Sequence, residues 1–199
     1  ELRIFGRGGH GAMPHMCVDP IDVGVQVVNA LQRIVSRQMN PLNPTVITVG
    51  SFHGGTTFNI IPDMVTMSGT TRTFDRTIWQ EWPERMEKIV SGVCNAMGAT
   101  YELDYNQSYP PTVNDADIAD LARICAAEVV GEGNVVEPEA TMGGEDMSFY
   151  LEKTKGCFLF LGAGQEGGAA LHNSKFDFDE NVLLTGVETY CRIIMNLLG

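Results

Sequence analysis

The stretch "MVTMSGTTRTF", residues 64–74, decides how the first half of the chain is read. Val65, Met67 and Gly69 alternate with Thr66, Ser68 and Thr70, the two-residue period of a strand with one face buried and the other wet. Upstream, "LRIF" (2–5) and "PTVITVGSF" (44–52) read as further strands. Between them "CVDPIDVGVQVVNALQRIVSR" (17–37) carries a helix start, with Asp19 as N-cap and Pro20 at the first helical position. Ile21, Val25, Val28, Leu31 and Val35 then follow at one-face helical spacing. Downstream, Ile78, Trp82, Met86, Ile89, Val93 and Met97 mark a second helix that Gly98 ends. "TYELDY" (100–105) is a fourth strand. Residues 2–106 therefore take the order β-α-β-β-α-β, that of the split-βαβ, ferredoxin-like sandwich.

Paired prolines in "QSYPPTVNDAD" (107–117) break this pattern and divide the chain into residues 1–110 and 111–199. Beyond them the spacing predicts a helix through Ile118, Leu121, Cys125 and Val129, closed by Gly131. A glycine-rich turn, "TMGGED" (141–146), and a short helix, "MSFYLEK" (147–153), come next. "CFLFLGAG" (157–164) is a continuous apolar run, as expected of a strand buried on both faces of a parallel sheet. The last element is a helix with Leu183, Val187, Cys191, Ile194 and Leu198 on one side. A single strand with three helices leaves its main chain without partners, so this region reads as the closing portion of a larger α/β layer. The overall expectation is an α+β chain.

Composition narrows the function. At 199 residues, 44% hydrophobic and 19% charged, the chain suits one large globular domain or two small ones. A net charge of −12 argues against nucleic acid, whose binding needs a basic face. No apolar run approaches the ~18 residues of a membrane span. The opening "ELRIFGRGG" has neither initiator Met nor the charged and apolar regions of a signal peptide, and it reads as the middle of a longer chain. Five widely spaced cysteines (Cys17, Cys94, Cys125, Cys157, Cys191) without a C-x-x-C fit reduced, buried thiols in the cytoplasm.

Several residues have chemistry to offer. "GRGGHGAMPH" (6–15) places two of the four histidines, His10 and His15, in a loop stripped of bulk. Either it is a flexible turn, or backbone and imidazole must both come close to something. "HGGTTFNIIPD" (53–63) joins two strands with eleven residues, long for a hairpin. Its Asn59 can grip a substrate amide or carboxylate, or hydrogen-bond its own loop. Arg72 offers a planar fork suited to a carboxylate, or is a surface charge. Gly143 and Gly144 either open a helix capped by Glu145 and Asp146 or let a ligand approach the backbone. His172 follows the apolar run and the glycine-rich "GAGQEGG" (162–168), where ligands gather beyond strand ends. It is a candidate metal ligand or base, or a structural histidine. No second ligand lies near it at metal spacing, since Asp177 and Asp179 are placed to solvate or cap the final helix.

"GRGGHGAMPH", "GTTFNIIPD", "GTTRTFD", "MGGEDMSFYLE" and "LHNSKFDFDE", in that order, closely resemble the M20 metallopeptidase family. The match is best to its branch of hippurate hydrolases, N-acyl-amino-acid deacylases and auxin-conjugate hydrolases, and it spans essentially the whole chain. The resemblance implies a ferredoxin-like lid, often dimeric, inserted into an α/β catalytic domain that holds two divalent metals, Zn or Mn. It implies His10 as the lid histidine that stabilises the oxyanion, Asn59 and Arg72 as substrate-binding residues, and His172 as the last metal ligand. The remaining ligands and the general base belong to the N-terminal half of such enzymes. The expectation is therefore the C-terminal half of an amidohydrolase for N-acyl amino acids or small peptides, inactive alone and without its metals. The rival reading is a non-catalytic ferredoxin-like dimerisation module.

Overall fold

The computed structural model describes residues 1–165 and 167–199; Glu166, within the glycine-rich stretch before His172, lies outside them. The chain divides into two compact units, Glu1–Pro111 and Thr112–Gly199.

In the first unit, strand β1 (Leu2–Phe5) is followed by the two-residue β2 (Gly9–His10) and helix α1 (Pro20–Arg33). Strands β3 (Thr45–Gly54), β4 (Ile60–Ile61) and β5 (Met64–Thr73), helix α2 (Arg76–Met97) and strand β6 (Thr100–Leu103) complete it. β3, β5, β1 and β6 form one antiparallel sheet in that order, while β2 and β4 pair separately as a ribbon. The alternation read from residues 64–74 is realised: Val65 and Met67 are buried, opposite Ile4 and Leu2 of β1. Both helices cover this one face, and their side chains join Leu2, Ile4, Ile47, Val65 and Met67 in a single core around fully buried Trp82. The sheet's other face is polar, with Arg3 paired to Glu1 and Glu102.

The caps explain why the helices begin and end where they do. Asp19 accepts from the Ile21 N–H, and Asp75 accepts from the N–H groups of Thr77 and Ile78, satisfying donors that no helical carbonyl can reach. Gly98 ends α2 in the left-handed region, φ 74°, where an L side chain is strained. Pro83 lies inside α2 and has no N–H for the carbonyl four residues back. The Gln107 side chain donates to that orphaned Trp79 oxygen at 2.9 Å.

The face of α1 matches the expected one in its later turns, where Leu31 is buried and Val28 and Val35 pack against the core, and differs in its first. Val23, Val27, Leu31 and Ile34 are buried, while Ile21 and Val25 are exposed. The helix is apolar on two sides, and packing on the sheet selects the second stripe. The loop before β4 is also shorter than expected, because β3 runs on through His53 and Gly54 to pair with Thr66 and Val65.

In the second unit, α3 (Ala116–Val130) is capped by Asp115, which accepts from the Ile118 N–H. A five-residue helix, α4 (Met147–Leu151), and α5 (Val182–Leu198) follow. The predicted strand at 157–164 does not form, for want of a partner strand among the described residues of this unit. Asn114 takes that place in part: its Oδ1 accepts from the Phe158 N–H at 2.8 Å and its Nδ2 donates to the Phe158 carbonyl at 3.1 Å. The packed side of α5 is likewise not the expected one. Ile193 meets Ala122 and Cys125, whereas Leu183, Val187, Ile194 and Leu198 stand in solvent. Cys191, expected buried, is exposed, and all five thiols are free. Among the described residues no helix is long and apolar enough to cross a membrane.

Candidate functional site

The glycine-rich loop and the 59–63 segment, some fifty residues apart in sequence, meet in the β2–β4 ribbon. Gly9 pairs with Ile61 and His10 with Ile60, and the Gly11 N–H donates to the Asn59 carbonyl at 2.9 Å. His10 and Asn59 are thereby brought to one exposed edge. Asp63 clamps the entry to the ribbon. Its carbonyl accepts from the Gly6 N–H and its Oδ1 from the Gly8 N–H, both at 2.8 Å. The glycines answer a close approach of backbones: a Cβ on Gly8 would sit 2.6 Å from the Ile61 carbonyl oxygen, and one on Gly11 2.9 Å from that of Asn59.

The His10 ring is oriented by its own loop. The Ala12 N–H donates to Nδ1 at 3.1 Å. A nitrogen that accepts carries no proton, so in the neutral ring the proton is on Nε2. The loop thus presents an outward N–H donor on a side chain exposed to solvent.

Arg72 is elsewhere. It lies near the far end of β5, opposite Val46, eight residues beyond the end that leads from the ribbon. At the rise of an extended strand this is about 25 Å. Half-buried, it donates to the Thr71 carbonyl at 3.2 Å and forms no ion pair among the described residues. Beside it Tyr105 shares a 2.6 Å hydrogen bond with the Thr71 hydroxyl. Burial pushes the Tyr105 phenol above its ordinary value, against the opposing pull of that bond and of the Arg72 charge, so the phenol stays neutral.

The other predicted residues belong to the second unit. Gly143 donates to the Thr141 hydroxyl at 3.3 Å, and both Gly143 and Gly144 are exposed. His172 occupies the third position of a turn closed by the Asn173 N–H on the Ala170 carbonyl. Its φ of 66° makes it the one non-glycine residue with positive φ among those described. Turns of this kind place glycine or asparagine there, and a histidine held in that conformation stores about 1–3 kcal/mol of strain, a mark of functional positions. Asp177 and Asp179 serve the local chain, accepting from the N–H groups of Phe178 and Asn181.

A metal centre needs three or four converging ligands. Among the described residues no group of three or more histidine, cysteine or acidic side chains converges on one point. The side chains present therefore do not fit a metal site by themselves. Asp63 and the Ala12 N–H were absent from the sequence reading. The only sign of Asp63 was its place at the end of a long loop, and the Ala12 donor left none.

The chain as a whole has relatives among known proteins. Residues 11–196 match the family model described as peptidase family M20/M25/M40, and the chain belongs to that family. It is 38% identical over 190 residues to thermostable carboxypeptidase 1 of Saccharolobus solfataricus, covering 94% of this chain and 48% of that protein. Its identity to the hippurate hydrolase of Campylobacter jejuni is 33% over 199 residues, covering 100% and 51%. The crystal structure of Bacillus subtilis YXEP, a dinuclear metal-binding peptidase of the M20 family, superposes with a TM-score of 0.73 at 28% identity, covering 99% of this chain and 50% of that one. Its relatives include amidohydrolases and carboxypeptidases. The chain spans about half the length of the relatives it matches.

Proposed function

We propose that this chain supplies the lid and the closing part of the catalytic domain of an amidohydrolase that cleaves N-acyl amino acids or small peptides. The lid is the first unit, read as a ferredoxin-like domain from its element order. The observation that carries the proposal is the Ala12 N–H on His10 Nδ1. Hydrolysis of an amide passes through a tetrahedral carbon bearing an oxyanion. A donor already aimed outward lowers that barrier without reorganising during the reaction. His10 Nε2–H is that donor, and Asn59 beside it orients the substrate. Arg72 takes the carboxylate of the amino-acid part through its planar fork. Gly143 and Gly144 offer main chain to the substrate, and His172 contributes one ligand to the metals, Zn or Mn, whose other ligands lie outside this chain. The 199 residues alone are inactive on this reading. Five free thiols support a cytoplasmic setting.

The separation of Arg72 from His10 within one lid favours a homodimer, in which one copy's His10 and the other's Arg72 serve the same substrate. The free edge of ten-residue β3 is a surface through which two lids can pair. The test is made in the full-length enzyme. His10→Ala lowers kcat roughly 10²–10³-fold with metal content intact, and His172→Ala lowers metal content as well. With the lid histidine acting across the dimer, on the site that holds the other copy's His172, mixed dimers of the two variants regain part of the activity, because one site in each keeps both histidines. Wild-type kcat in His10→Ala would overturn the oxyanion role of His10 and return residues 6–15 to a flexible turn.

A further inference from the structure

The ribbon that presents His10 is surrounded by apolar side chains that nothing in the lid covers. Phe58, next to Asn59, is 100% exposed, and Ile60, directly opposite His10, is 57% exposed. Met13 and Met16, on the turn that leaves His10, are 48% and 63% exposed. None of the four belongs to the core, although neighbouring Ile61 is buried. They cannot fold inward, because the Asp63 clamp and the Gly11 and Met13 main-chain bonds hold the ribbon in place. A large aromatic ring kept wholly in water beside three more apolar side chains marks a contact surface.

Resting on the function proposed above, we infer that Phe58, with Ile60 and Met13, selects substrates by the apolar acyl group bonded to the scissile carbonyl. The geometry is that of the tetrahedral carbon. The oxyanion and the acyl substituent share that one atom, so a substrate whose oxyanion meets His10 Nε2–H brings its acyl group within a few ångström of the same ribbon. The other half of the substrate carries a carboxylate, for which an apolar rim is unsuited and for which Arg72 lies at the far end of β5.

The test compares N-benzoylglycine with N-acetylglycine in the full-length enzyme, using wild type, Phe58→Ser and Phe58→Leu. Full exposure of Phe58 leaves the fold of both variants intact, which an unchanged melting temperature verifies. Phe58→Ser is expected to lower kcat/KM for the benzoyl substrate about tenfold, the lower end of what an apolar contact discriminates, mainly through KM. The acetyl substrate changes less than twofold, and Phe58→Leu recovers part of the loss. An equal fall for both substrates, or no change for either, overturns the inference while the function stands. A wild-type enzyme that hydrolyses neither of these, nor other N-acyl amino acids or dipeptides, overturns both.

Discussion

Gly8→Ala puts the ribbon under a defined load. The new Cβ would lie 2.6 Å from the Ile61 carbonyl oxygen and 3.0 Å from Asp63 Oδ1. The nearer contact is backbone, about 0.8 Å short of ordinary van der Waals separation, and no flexible side chain can yield to it. The 6–11 segment must move away from 59–63, and a shift of that size stretches the 2.8 Å Gly8–Asp63 bond beyond hydrogen-bonding range. Overpacking costs about 1–3 kcal/mol and an exposed bond of this type about 1 kcal/mol, so a loss of about 2–4 kcal/mol is expected in the first unit. Displacing His10 by a similar distance lowers kcat on an N-acyl amino acid by up to about 10²-fold. Gly92→Ala is the matched control: a Cβ there meets nothing within 4 Å, and in the interior of α2 it stabilises by about 0.5–1 kcal/mol without touching activity. Thermal melts and steady-state kinetics on both variants decide the matter. Wild-type melting and kcat in Gly8→Ala would show that the backbones do not approach as described.

Gln107→Leu removes the donor that replaces the missing N–H of Pro83 and should cost about 1 kcal/mol. Combining it with Pro83→Ala, which restores a main-chain donor to Trp79, should abolish most of that cost, and additive effects in the double-mutant cycle would refute the pairing. In the second unit, the Asp115 carboxyl is held below its ordinary value, first by the Ile118 N–H and then by Lys155. A depressed carboxyl stabilises fully above the ordinary carboxylate range and loses its contribution as pH falls through the lowered value. Asp115→Asn should therefore flatten the acid limb of the second unit's stability, and an unchanged limb followed by amide exchange would show that the cap is not the titrating group.

How much of this was legible depends on where the determining contact lies. Asp19 is legible at its helix start because a short carboxylate satisfies donors two or three residues on, a purely local requirement; Asp75 and Asp115 meet the same requirement, although only the structure shows it. The alternation of Val65 and Met67 is local too, since one buried face suffices to impose it. The rotation of α1 is not. Ile21 with Val25 and Val23 with Val27 are equally good stripes, and only the sheet, assembled from four distant segments, chooses between them. In α5 the stripe with the best periodicity is the one left in solvent, because the helix turns Ile193 to α3 instead. The same distinction divides the candidate site. His10 and Asn59 were legible as chemistry, but their meeting depends on segments some fifty positions apart, one of them almost without side chains. Glycine records that another backbone comes close without recording which one. The direction of the His10 proton was less visible still, since any residue but proline at position 12 supplies the same N–H. The orientation of the His10 ring is thus encoded in the course of the main chain, and the sequence marks it only by what it leaves out.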